Sequence, residues 1–109
     1  MGIKIKKTKL VKVGNVEIGG GRPIVLIAGP CVIESPNHVS STAEKIKRAA
    51  SDADIPFIFK ASYDKANRSS IDSFRGPGLI KGLKSLEKIK QELNVPVLSD
   101  VHTEEEIEP

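Results

Sequence analysis

Three short apolar runs constrain this chain more than anything else in it: "IVLIA" at 24–28, "FIF" at 57–59 and "PVL" at 96–98, spaced roughly thirty to forty residues apart. The first is too short for a helix and rich in β-branched residues, which suits a strand buried on both faces. Between the runs the hydrophobic period changes. Ser35 is placed to cap a helix with Pro36 at its first position, and Val39, Ala43, Ile46 and Ala50 then recur at helical spacing along one face. A second amphipathic stretch runs through Leu79, Leu83, Leu86, Ile89 and Leu93, and Pro96 limits it. Strand, helix, strand, helix, strand is the rhythm of a parallel α/β protein.

Two flanking segments complete the reading. "VKVGNVEIG" holds two short β-branched runs around Gly14-Asn15, a dipeptide suited to a tight primed turn, so residues 1–22 are expected to form an amino-terminal hairpin and a glycine-rich joint. After the third run comes "TEEE", where Thr103 would cap a helix and Glu106 would reach back to the Thr103 amide. Residues 23–109 are therefore expected to form part of a (β/α)8 TIM barrel: the first three strands, two helices and the start of a third. Closing such a barrel takes about 250 residues, so the 109 present are expected to be the front of a larger fold. A doubly wound open sheet is the competing architecture. The loop "GPCVIES" after the first strand lacks the G-x-G-x-x-G spacing that brings a pyrophosphate onto a helix terminus, and no G-x-x-x-x-G-K-[ST] occurs.

Composition removes several function classes. The apolar runs fall far short of the roughly 20 residues a bilayer span needs, and the first residues lack a signal peptide's apolar segment. A cytoplasmic protein with no membrane partner is expected. One cysteine, Cys31, cannot close an intramolecular disulfide, which leaves a buried-hydrophobe, thiol or metal-ligand role open. The net charge of +3 is modest, and Lys4, Lys6, Lys7, Lys9 and Lys12 suit a solvated strand edge; with aromatics at 4% there is little on which to stack bases, so no nucleic-acid partner is expected. A small basic binding module is the non-enzymatic alternative.

In parallel architectures ligands bind beyond the carboxyl ends of the strands, where the βα loops converge. Here the first end carries Gly29, Pro30, Cys31 and Glu34, the second Lys60, Ser62 and Lys65 with Asn67, Arg68 and Ser69 behind them, and the third Asp100 and His102. Strand alternation lets Lys60 and Ser62 face one side while Ala61 and Tyr63 face the other. A cation held there needs an anionic partner, and the Arg68 guanidinium can grip a phosphate through two parallel hydrogen bonds. A phosphorylated polyol fits this set. A structural ion pair from Lys60 to Asp64 or Asp100, with the other cations facing water, is the alternative.

"IAGPCVIES", "FKASYDKANRSSIDSFRGPG" and "SDVH", in this order and at these intervals, resemble the 3-deoxy-D-manno-octulosonate 8-phosphate synthases, a likeness running from about Pro23 to the end. The related 3-deoxy-D-arabino-heptulosonate 7-phosphate synthases share the "AGPC" element but usually carry a K-P-R-T-S type loop, from which Lys65 to Ser69 depart. The resemblance implies condensation of phosphoenolpyruvate with arabinose 5-phosphate and water in a homotetrameric TIM barrel serving lipopolysaccharide synthesis. It implies that Lys60, Ser62 and Lys65 hold or flank phosphoenolpyruvate, that Asn67, Arg68 and Ser69 hold arabinose 5-phosphate, and that Lys60 and Asp100 are catalytic. Cysteine at position 31 marks the division of that family that binds a divalent metal of zinc, iron or manganese type, whose other ligands come from strands beyond these residues. The 109 residues alone are expected to be inactive.

Overall fold

The computed structural model describes residues 8–64 and 76–109. Its elements run β1 (Val11–Val13), β2 (Val16–Ile18), β3 (Leu26–Ala28), α1 (Pro36–Asp52), β4 (Phe57–Lys60), α2 (Leu79–Leu93), β5 (Val97–Leu98) and a 3-10 turn at Glu104–Glu106. This is a mixed α/β architecture. β1 and β2 pair antiparallel, Val13 opposite Val16, around a turn in which Gly14 takes φ +57. Asn15 is not among the positive-φ residues, so only the first of the two central residues uses the left-handed region.

The other three strands form a parallel sheet in the order β3-β4-β5, with Ile27 opposite Ile58 and Lys60 opposite Leu98. The central strand is the most buried because both helices lie over one face of it. Phe57, Phe59 and Ala61, two residues apart and so on one side, pack with Val39, Ala43 and Ala50 of α1 and Leu86 and Ile89 of α2. The two phenyl rings meet edge to face at 6.3 Å. The opposite side of the sheet carries Ile27, 47% exposed, and Leu98, 43% exposed, beside Lys60.

Local chemistry sets the helix limits. Ser35 is extended and its hydroxyl accepts from the His38 amide at 3.0 Å, with Pro36 opening the helix as its missing N–H allows. α2 stops at Asn94, whose φ of 53 and ψ of 48 form a left-handed cap. The Lys47 ammonium donates to the Leu93 carbonyl at 2.5 Å, tying α1 to the negative end of α2. Where the start of a third helix is expected, Glu104–Glu106 form a 3-10 turn. Thr103 makes no side-chain cap, and the Glu106 carboxylate is held by Tyr63 rather than by the Thr103 amide, so a contact across 43 residues displaces the local capping box.

Candidate active site at the carboxyl ends of the strands

Parallel pairing brings the ends of β3, β4 and β5 to one edge, and with them Cys31, Lys60 and Asp100. Gly29 makes the β3 end possible. A Cβ there would lie 1.6 Å from the Lys60 carbonyl oxygen and 3.1 Å from the Phe59 ring, so only glycine lets β3 leave the sheet this close to the end of β4. The loop then returns to β4: the Ile33 amide donates to the Ser62 carbonyl at 2.9 Å, and Val32 and Ile33 are buried while Cys31 between them and Pro30 is exposed.

Lys60 is half-buried at the last position of β4, and among the described residues it forms no ion pair. Asp100 instead faces His102, its Oδ2 3.6 Å from Nε2. The alternative in which Lys60 is neutralised by Asp100 is therefore not what the structure holds. Ser62 is 3% exposed, and its hydroxyl donates to the Asp64 carbonyl at 2.7 Å and accepts from the Asp64 amide at 3.2 Å. It closes a turn at the strand end with both hydrogen-bonding functions already in use. Lys65, Asn67, Arg68 and Ser69 lie outside the described residues.

Among the described residues, two clefts of about 500 Å³ are lined by residues other than Cys31, Lys60, Asp100 and His102. One lies at the amino ends of the strands, lined by Asn15, Val16, Pro56 and Pro96, and the other runs along α2 and β5 past Ile80, Leu83 and Leu98. Among the described residues no three His, Cys, Asp or Glu side chains group as a metal site, so Cys31 and the described side chains do not by themselves fit a bound metal.

One contact had no counterpart in the sequence reading. Tyr63, buried under α2, donates from its hydroxyl to Glu106 Oε2 at 2.5 Å. Burial pushes its phenol above the ordinary value, and the Glu106 carboxylate adds to the rise. The available signal was slight: a tyrosine on the buried side of a strand needs a partner for its hydroxyl.

Residues 2–109 match the DAHP synthetase I family. The chain belongs to that family. Curated relatives include proteins named "2-dehydro-3-deoxyphosphooctonate aldolase": that of Geotalea uraniireducens is 58% identical over 101 residues, 93% of this chain and 37% of the relative. The one from Desulfosudis oleivorans is 56% identical over 102 residues, 94% of this chain and 37% of the relative, and the one from Geobacter sulfurreducens 49% over 102, 94% and 38%. This DAHP synthetase I chain thus spans little more than a third of the length of those relatives.

Proposed function

We propose that the chain carries the amino-terminal part of a 3-deoxy-8-phosphooctulonate synthase. The observation that carries the reading is the edge where three parallel strands end together, with Lys60 ending β4 and making no ion pair among the described residues and Asp100 and His102 following β5, in a chain of this family. In that reading residues 23–109 begin a (β/α)8 barrel, and the hairpin and joint of residues 1–22 precede it. The apolar side of the sheet at Ile27 and Leu98 suits the interior of such a barrel.

The proposed reaction joins C3 of phosphoenolpyruvate to the aldehyde carbon of arabinose 5-phosphate, adds water at C2 and releases inorganic phosphate. An ammonium at the strand end stabilises the carboxylate and phosphate of phosphoenolpyruvate and the charge that shifts as its C3 attacks. Lys60 takes that part together with Lys65, Ser62 shapes the turn after β4, and Asn67, Arg68 and Ser69 take the sugar phosphate. Asp100 is the carboxylate at the reacting end. A divalent ion of zinc, iron or manganese type is part of the proposal, with Cys31 as one thiolate ligand of a set that the described residues do not complete. A cytoplasmic homotetramer without membrane or nucleic-acid partners, serving lipopolysaccharide synthesis, completes the reading.

The test is a fusion in which these residues replace the matching part of the Geotalea uraniireducens relative, assayed for phosphate release from phosphoenolpyruvate. Release with arabinose 5-phosphate and not with erythrose 4-phosphate supports the octulosonate reading; the reverse preference replaces it with the heptulosonate reaction. The 109 residues alone are expected to release no phosphate.

A further inference from the structure

The segment carrying Asp100 and His102 has little to hold it. β5 is two residues long, and residues 99–103 form no helix or strand. At its start the segment is fixed by the sheet, where the Leu98 carbonyl accepts from the Ala61 amide at 3.2 Å. Beyond it Val101 and Ile107 are exposed, and among the described residues the Ser99 hydroxyl donates within the segment, to the Asp100 carbonyl. Among the described residues its far end is tied to another element by the Tyr63 hydroxyl, which donates to Glu106 and lies against the His102 backbone.

Tyr63 is suited to be a fixed point. Its Cβ lies so close to α2 that a Cβ on Gly82 would stand 2.4 Å from it, so glycine at that helix position admits the tyrosine. Its carbonyl accepts from the Gly78 amide at 3.1 Å. Its ring meets the His102 ring edge to face, with centroids 5.2 Å apart and planes at 76°. Among the described residues, His102 Nε2 is sealed from solvent without a hydrogen-bond partner, 3.6 Å from Asp100 Oδ2, so the Tyr63 ring is a main contact of that imidazole.

We propose that Tyr63 is a positioning residue: by donating to Glu106 while its ring backs His102, it latches the segment after β5 and so sets where Asp100 and His102 stand at the strand ends. That the latched edge is catalytic rests on the synthase reading; that the latch sets the two side chains rests on the contacts alone.

The test uses the 109-residue chain, labelled for NMR, as parent, Tyr63→Phe, Glu106→Ala and Glu106→Gln. Tyr63→Phe keeps the ring and removes only the hydroxyl, and Glu106→Ala breaks the same bond from the other side. Both are expected to weaken the cross-peaks between ring 63 and the His102 ring and to speed amide exchange at residues 106 and 107 roughly tenfold or more, the fold-change expected for losing a bond to a charged acceptor. Amides at Phe59 and Ile89 in the core are expected to hold their protection. Glu106→Gln keeps an acceptor and is expected to restore both signals. Unchanged cross-peaks and exchange in Tyr63→Phe and Glu106→Ala would overturn the proposal, and so would an equal loss of protection across the core, which marks general destabilisation. None of these readouts needs substrate, so their failure is distinct from a failure of the synthase reading, which the fusion assay tests.

Discussion

Replacing Gly29 with alanine strikes the junction on which the strand-end geometry depends. The new methyl would stand 1.6 Å from the Lys60 carbonyl oxygen and 2.7 Å from its carbon. Both are backbone atoms of the central strand, so no rotamer change relieves the overlap. Reaching a tolerable contact of about 3.0 Å moves the two strand ends apart by roughly 1.4 Å, against a normal strand spacing of about 4.8 Å. Overpacking of a rigid site costs about 1–3 kcal/mol, and a strained ladder hydrogen bond adds about 1 kcal/mol, so a loss near 3 kcal/mol is expected. Set against a typical total of about 5–15 kcal/mol, this is a large fraction. In urea, followed by circular dichroism, the midpoint should fall by about 1–3 M for a slope of about 1–3 kcal/mol per molar. Gly78→Ala serves as the control, because nothing lies within 4 Å of that Cβ position and only the φ of +88 opposes it. That positive-φ, extended-ψ conformation costs about 1–3 kcal/mol for alanine, without moving β3 against β4. If Gly29→Ala unfolds within about 0.5 kcal/mol of the parent, the close approach is not what holds the two strand ends together.

Ser62→Ala is expected to destabilise by about 1–2 kcal/mol in the same titration, since it removes a buried hydroxyl that both donates to and accepts from the Asp64 backbone. Asn94→Gly is expected to stabilise by roughly 0.5–1 kcal/mol, because φ 53 suits glycine better than asparagine; a loss of stability would show that the asparagine side chain contributes more than its backbone costs. For Tyr63 the folded phenol binds its proton more tightly than the unfolded one at 10.0, so its contribution is whole below pH 10.0 and is lost as pH rises through the higher folded value. The stability difference between parent and Tyr63→Phe should therefore shrink above pH 10.0, and a difference constant across that range would contradict the buried, carboxylate-facing phenol.

What was legible in the sequence was local in origin. Ser35 and Pro36 mark the start of α1 because capping needs only neighbouring atoms, and Val39, Ala43 and Ala50 mark its buried face because a 3.6-residue period is written into the chain. Phe57, Phe59 and Ala61 reveal the strand under the helices in the same way. Alternation also places Tyr63 on the helix side, where Gly82 admits it. Thr103 and Glu106 show the limit of such reasoning. Read locally they form a capping box, yet a tyrosine hydroxyl 43 residues away takes the carboxylate, and no periodicity reports on that pairing. Ser62 is a milder case: its alternation with Lys60 is visible, but the turn that occupies its hydroxyl depends on how the chain leaves the sheet. That the strands carrying Cys31, Lys60 and Asp100 at their ends run parallel was legible, because their spacing in the chain leaves room for a crossover helix between them.

The central claim is that Lys60 stands at the strand end for an anionic substrate rather than for an internal carboxylate. Calorimetric titration of phosphoenolpyruvate into the Geotalea fusion, parent against Lys60→Gln, tests it most directly. A charge-assisted bond of about 1.5–3 kcal/mol predicts affinity weakened roughly 10- to 150-fold with the fold intact. Affinity within about twofold of the parent would show that the ammonium does not hold this ligand, and the account of the site would fail with it.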